Sequence, residues 1–540
     1  MQETHESYDA IVIGGGSSGC IAAAELAKDS GRRVLLLEYG ERAEENPETL
    51  LADGYKDAFV NDRLIWDRFS IPQESCGGNR LFMGSGMGMG GSGSVNGMVY
   101  TRGCASDYAE WPKGWQWQDV SPSFEALERK LRVRRREPTR FTEACIRASE
   151  ETGFRRKEDL NDGDLHGVLG YEWMNYEGDH RRSSYVAFLA DGELPNLTVK
   201  TQARAHRLRF DDNRHVVGVE YGRKGARNFA ASKQIVVCAG ALETPRLLML
   251  SGVGPADQLR NHGISPVFEN PGVGSNFHDH PNITLFFAGR ETVDSNYPQL
   301  YGFHRANYET DFNFQQPDTC YVFYPARSSL IQAAQRLVPG MVLPPALYDL
   351  PLCKGGVRAA IGLAGKQAWV QRLIEKIYGI VVILGKPKSR GVIRLRSANP
   401  EDATHIDPRY FDDPADMQTM LEGVRRALRI SQANALKEWG SRRLAPAPWR
   451  NSKEALENWI RQNAMTTYHF AGTCRMGDDA SSVVDSRLRL RGVQGVRIAD
   501  ASVIPHTPVS ALNAPSMLVG LRAAQFIEEE KKDGCKYAAA

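Results

Sequence analysis

At 540 residues the chain is too long for one ordinary domain, since domains run to roughly 150 residues. Hydrophobic residues at 42% and charged residues at 24% sit near soluble averages, which excludes wholesale disorder. The 67 Lys and Arg against 65 Asp and Glu leave a net charge of +2, giving no reason to expect nucleic acid, a polyanion or a charged membrane surface as the main partner; no apolar run reaches the roughly 18 residues of a spanning helix.

In chain order, the polar segment before Tyr8 is unlike a signal peptide. The nine scattered cysteines form no C-x-x-C pair and read as reduced thiols, so a cytoplasmic location is expected. Tyr8 to Ile13 is an apolar, β-branched run that stops at glycines and reads as a buried parallel strand. Ser17 to Lys28 reads as a small-residue helix and Arg33 to Leu37 as a second buried strand, which makes a βαβ unit. Residues 192–240 read as a β-meander leading back into the parallel sheet through Gln234 to Cys238. Residues 330–384 are rich in Leu, Ile, Ala, Pro and Gly, with amphipathic stretches such as 368–384. Residues 415–434 and 453–463 read as exposed helices, and 515–532 as a terminal amphipathic helix.

The 51 glycines cluster at 14–19, 84–97 and 252–274, where a ligand or a tight turn brings backbone close. Gly14, Gly16 and Gly19 form G-x-G-x-x-G between a strand and a helix, and Glu38 ends the second strand. That context predicts a dinucleotide site. Gly16 lets backbone N–H groups, with those of Ser17 and Ser18, approach a pyrophosphate at the helix N-terminus. Glu38 would accept from ribose hydroxyls, which argues against a 2′-phosphate; FAD and NAD both stay open on this motif alone. His278 and His280 flank Asp279, but no third ligand cluster lies nearby in sequence, so a metal site is not supported.

Gly84 to Gly97 (GSGMGMGGSGSVNG), followed by Met98 to Gly103 (MVYTRG), resembles the first signature of the glucose–methanol–choline oxidoreductases. Gly240 to Gly254 (GALETPRLLMLSGVG) resembles the second signature, and Pro271 to Pro281 (PGVGSNFHDHP) a further family block. Thr467 to Gly477 (TYHFAGTCRMG), Gly495 to Pro505 and Ser510 to Met517 (SALNAPSM) resemble the C-terminal blocks. Departures from the usual pattern fall at Met87, Met89, Phe470 and Leu512.

The resemblance implies an α/β fold, α+β overall. A doubly wound FAD-binding domain (1–155, 190–285 and 466–540) would be interleaved with a substrate domain (156–189 and 286–465) built on a sheet covered by helices. It implies FAD held by Gly14, Gly16, Ser17, Ser18, Gly19, Glu38, Gly91, Ser92, Asn96, Gly97, Met98, Ala205, Asp500, Ala501, Asn513, Pro515 and Ser516. It places His469 as general base and Asn513 as a second group on the reacting oxygen, with the substrate hydride passing to the flavin. Turnover would then rise with pH through an ordinary imidazole value near about 6.5. The partners implied are a small-molecule alcohol and an electron acceptor, oxygen or a quinone-like carrier. A flavin lyase or photodecarboxylase on the same fold is disfavoured by the presence of both His469 and Asn513. A non-catalytic flavin-binding protein would be expected to have lost His469 or the glycine loop.

Substrate class is read from 300–384, the region that covers the pocket in this family. Tyr301, Phe303, Phe312, Phe314, Tyr321, Phe323 and Tyr324 lead into an apolar run with Leu337, Met341, Leu343, Leu347, Leu350, Trp369, Leu373 and Ile377. No acidic and aromatic cluster marks a cage for a quaternary ammonium, so an aromatic or long apolar alcohol is expected over choline, methanol or sugars.

Overall fold

A computed structural model describes residues 6–223, 227–313 and 315–538; Phe314 lies outside them. The first βαβ unit forms as its sequence requires. Ala10–Ile13 and Val34–Leu37 are buried at every residue, as strands covered on both faces must be, and Ser17–Ala27 is the helix between them. Among the described residues they join a five-stranded parallel sheet in the order Leu197–Lys200, Val34–Leu37, Ala10–Ile13, Ile235–Val237, Val496–Ile498. The sheet is thus stitched from the beginning, middle and end of the chain. The 192–240 region divides differently from the expected meander. Leu197–Lys200 takes the edge of the parallel sheet, and the antiparallel strands are Arg204–Phe210, Val216–Gly222 and Asn228–Ala231.

The terminal helix Asn513–Ala538 packs on Ser17–Ala27. Their contact is close: a Cβ on Gly520 would lie 2.4 Å from the Ser18 carbonyl oxygen, so only glycine admits this approach. It brings the helix start, and with it Asn513, beside Ser17.

The second large sheet has eight strands among the described residues. Its centre runs Pro281–Ala288, Ile377–Leu384, Thr319–Pro325, Leu300–His304, all antiparallel neighbours. The Pro281–Ala288 strand lies whole in this sheet, across the expected division at 285. Side chains alternate along each strand. Ile283, Leu285, Phe323, Ile380 and Val382 face a hydrophobic core, against which the helix Pro414–Ser431 packs. The opposite face carries Asn282, Thr284, Phe286, Val322, Tyr324, Val381 and Ile383, and this face looks into the cavity described below.

The amphipathic stretch 368–384 is broken in two: Ala368–Ile374 is a helix, but Ile377–Leu384 is a central strand. Its β-branched run IYGIVVIL suits a doubly paired strand better than a helix, and tertiary pairing decides. No helix among the described residues is long and apolar enough to cross a membrane.

Candidate active site

One cavity of about 660 Å³ lies between the parallel sheet and the inner face of the antiparallel one. At its first end, the helix Ser17–Ala27 begins at Gly16 with no side-chain cap, leaving first-turn N–H groups for an anion. A Cβ on Gly16 would meet nothing closer than Gly91 Cα at 4.0 Å, so bare backbone faces the cavity. Gly19 is used otherwise: its Cβ would sit 1.8 Å from the Gly14 carbonyl oxygen, and it serves the packing of helix on strand.

Glu38 is buried, and its carboxylate accepts from three backbone amides. Oε2 takes Gly15 N–H at 2.7 Å; Oε1 takes Gly40 at 2.8 Å and Gly88 at 3.0 Å. Burial raises its pKa from the ordinary carboxylate value, with the amides acting against that. Beside it Tyr39 stacks on Trp66, with ring centres 4.6 Å apart, and the Arg204 guanidinium lies over both rings. Arg68, Arg204 and Arg246 surround the buried carboxylate of Glu243 at 2.9, 3.4 and 2.8 Å. Coulombic attraction to Arg246, Arg68 and Arg204 overcomes the burial cost and holds Glu243 down at about 2. Sequence reasoning missed this cationic wall because Arg68 and Arg204 lie far from Glu243 in the chain, Arg246 alone of the three being local.

The glycine loop 84–97 is pinned by a residue that no motif announced. Arg181 is fully buried and donates to the carbonyls of Gly93 (3.1 Å) and Asn96 (2.5 Å) and to Asn96 Oδ1 (2.7 Å). Burial lowers its guanidinium to about 9.

At the other end, segments around 278–282 and 465–471 pair backbone to backbone. Asp279 is the buried hub of that turn. Its Oδ1 accepts the amides of His280 and His469, both at 2.8 Å, and its Oδ2 accepts the hydroxyls of Tyr410 and Thr466. Tyr468 takes a left-handed backbone (φ 63°), uncommon for an aromatic residue, immediately before His469. The His469 ring stands in the cavity wall, its Nδ1 2.9 Å from Nδ1 of His280. Burial lowers the imidazole to about 4, well under the ordinary value anticipated above. His278 bonds through Nδ1 to the Asn276 carbonyl at 2.8 Å, and among the described residues no group of ligating side chains could hold a metal ion.

Asn513 starts the terminal helix. Its Oδ1 accepts the Ser17 hydroxyl at 2.9 Å, while its Nδ2 is buried with no hydrogen-bond partner. A buried amide donor left unpaired is costly, and its residue lines the cavity. Asp500 accepts from Gly240 N–H (2.9 Å), the Thr244 hydroxyl (2.6 Å) and Ser502 N–H (2.8 Å), and so fixes Ala501 alongside.

Of the residues expected at the site, the cavity wall contains Gly14, Gly16, Ser17, Ser18, Glu38, Gly91, Ser92, Asn96, Gly97, Ala205, His469, Asp500, Ala501, Asn513 and Ser516. Gly19, Met98 and Pro515 are not in it. Met98 is buried in a separate cluster with Ala52 and Met174, and Pro515 sits in the first turn of the terminal helix. Of the apolar residues expected over the pocket, Tyr301, Tyr324 and Leu337 line it. Phe303, Tyr321 and Phe323 are buried in the cores beneath the sheet, whereas Met341, Leu347, Leu350, Trp369 and Leu373 are exposed and point away from the expected cover.

The carboxylates in the cavity wall are Glu38, Glu243 and Asp500, each held by the glycine loops or the arginines. Away from the glycine loops the wall carries Phe59, Tyr324, Leu330, Leu337, Tyr468 and Phe470 with the sheet face, interspersed with Tyr55, Lys56, Ser329, Gln332, Thr466 and Thr467. A bare glycine cradle, an uncapped helix start and an orphaned amide donor fit a long dinucleotide carrying a pyrophosphate and a polar ring.

Family models described as GMC oxidoreductase match residues 8–282 and 387–520. An alcohol dehydrogenase [acceptor] of Pseudomonas putida is 32% identical over 96% of this chain and 95% of that protein. The oxygen-dependent choline dehydrogenase 1 of Chromohalobacter salexigens is 30% identical over 96% and 94%. Among solved structures, pyridoxine 4-oxidase from Mesorbium loti superposes with a TM-score of 0.82 at 26% identity, covering 96% of this chain and 98% of its own.

Proposed function

The chain belongs to the GMC oxidoreductases, a family that binds FAD, and from that premise we propose that it oxidises an alcohol to the aldehyde or ketone with His469 as general base. The observation that carries this reading is that His469, in a turn, and Asn513, at the start of the terminal helix and with an unpaired Nδ2, both line one cavity. When bound, FAD supplies the acceptor for the hydride of the alcohol C–H. Gly16, Ser17, Ser18, Gly91 and Ser92 would hold its phosphates, Glu38 its ribose, and Asn96, Ala501 and Ser516 its ring system. His469 takes the hydroxyl proton on the ring nitrogen that is not turned to His280. Asn513 donates from Nδ2 to the same oxygen, its amide held in that orientation by Ser17. Base and donor on one reacting oxygen orient the C–H bond, which is where proximity catalysis gains most.

The substrate proposed is an alcohol on an aromatic or long apolar skeleton. Much of the wall away from the glycine loops is aromatic or aliphatic, its one ammonium is Lys56, and the cavity's carboxylates are held by amides, hydroxyls and arginines, so a quaternary ammonium finds no counter-charge. Desolvating an apolar skeleton supplies binding at roughly 25 cal/mol per Å². The second substrate is an electron acceptor, oxygen or a quinone-like carrier. The test is anaerobic flavin bleaching with a benzyl-type alcohol, a medium-chain alkanol, choline and glucose, on wild type and His469→Ala. We expect the apolar alcohols to bleach fastest, and His469→Ala to keep FAD but react about 10²–10⁴-fold more slowly. A preference for choline or glucose refutes the substrate class, and a wild-type bleaching rate without the imidazole refutes the base.

A further inference from the structure

Four consecutive helices, Leu330–Val342, Pro345–Tyr348, Pro351–Gly365 and Ala368–Ile374, pack on one another, and the first also packs on Tyr55–Val60. Their inner side is fully engaged. Leu330, Ala333 and Leu337 line the cavity, and Arg336, Lys354 and Arg358 all pair with Asp62. The outer side is not. Of sixteen exposed large hydrophobic residues among those described, eight fall between 341 and 373, including Met341 (79% exposed), Leu352 (91%), Leu363 (66%) and Trp369 (68%). Leaving so much apolar surface in water, concentrated in one short stretch, marks an interaction surface.

Charge identifies what meets it. Lys366, Arg372 and Lys376 are exposed among these side chains, and they form none of the ion pairs among the described residues. The carboxylates of the stretch are Asp349 and Glu375. A second copy of this chain meeting the patch through a twofold axis would bring two like-charged surfaces together, each with three unpaired cations against two carboxylates. Short helices with Leu and Trp exposed beside unpaired Lys and Arg match a bilayer surface instead: the apolar groups reach the acyl boundary and the cations meet lipid phosphates. We propose that the outer face of this four-helix insert docks the protein peripherally on an anionic membrane, with the helix Leu330–Val342 joining the docked face to the cavity wall. The docking stands independently of which alcohol, if any, is oxidised.

The test is co-sedimentation of the FAD-loaded full chain with vesicles of phosphatidylcholine alone, or of phosphatidylcholine with 30 mol%, a standard fraction of about one third, of phosphatidylglycerol. We expect binding to the anionic vesicles that weakens as salt rises, and little to the neutral ones. Lys366→Gln/Arg372→Gln should lower the partition coefficient about 25-fold, at about fivefold per basic residue. Leu363→Ser/Trp369→Ser should lower it as well. Both variants alter exposed side chains, so an unchanged melting temperature separates lost docking from lost fold. Equal binding to both vesicle types, or none to either, overturns the proposal. So does a lipid-free dimer in sedimentation velocity that Leu363→Ser/Trp369→Ser dissociates, since that assigns the surface to a second copy.

Discussion

His469 and His280 face each other through their Nδ1 atoms, so one of the two must carry the proton. With His469 as the proposed base, its Nδ1 donates to Nδ1 of His280, and the proton of His280 then sits on Nε2. The remaining nitrogen of His469 then presents a lone pair, as a base requires, and His280 stabilises the imidazolium formed when a proton arrives. A leucine at 280 removes this acceptor, whereas an asparagine places Oδ1 near the old Nδ1. Losing one net hydrogen bond of about 1 kcal/mol predicts flavin reduction about fivefold slower in His280→Leu, with His280→Asn close to wild type. The pH profile is a second check. Burial lowers the folded imidazole to about 4, so the base is neutral above that value and lost as pH falls through it. Reduction rates should stay flat from pH 8 down to about 5 and then decline, the decline moving further acid in His280→Leu. A midpoint near the ordinary histidine value would contradict the burial.

Glu38 acts on the scale of elements. Its carboxylate ties together the βα turn at Gly15, the chain after its own strand at Gly40, and the glycine loop at Gly88. The motif alone assigns it to the ribose hydroxyls of a bound dinucleotide. The structure adds a clamp between two loops that both line the cavity. Glu38→Gln keeps the size but turns an N–H₂ group towards amide donors. We therefore expect lower FAD occupancy after gel filtration together with a lower melting temperature of the apoprotein, as charged hydrogen bonds of about 1.5–3 kcal/mol are lost. An unchanged apoprotein melting temperature would reduce Glu38 to a ligand alone. This clamp was not legible in the sequence, because Gly88 is fifty residues away and glycine amides carry no signature. The strand Ile377–Leu384 was misread for a related reason: its apolar run suits helix or strand, and only pairing on both sides settles which.

At the scale of the molecule, what could be read early was what repeats locally: the βαβ unit, the glycine loops and the histidine block. Arg181, the approach of Arg68 and Arg204 to Glu243, and the bonds of Asp279 to Tyr410 and Thr466 were not legible, since each joins partners distant in sequence and none sits in a periodic pattern. The same dispersion has a thermodynamic consequence. The cavity wall draws on residues 13–18, 37–39, 84–97, 203–205, 238–247 and 500–516, so one ligand bridges the start, middle and end of the chain. The parallel sheet is assembled from those same parts, with Val496–Ile498 as its last strand. A ligand that binds only when all are in place stabilises the folded state by about 2.7 kcal/mol at one hundred times its dissociation constant. Stripping FAD should therefore lower the melting temperature of the whole chain, by roughly 2–4 °C per kcal/mol even for a domain of 150–250 residues and by less for a longer cooperative unit. Protease cleavage should rise at the same time in the loop 84–97 and around the start of the terminal helix, and adding back FAD should reverse both effects. Apoprotein melting together with the FAD-loaded form, and cut no faster at those places, would mean that the bridging segments are held by the protein alone.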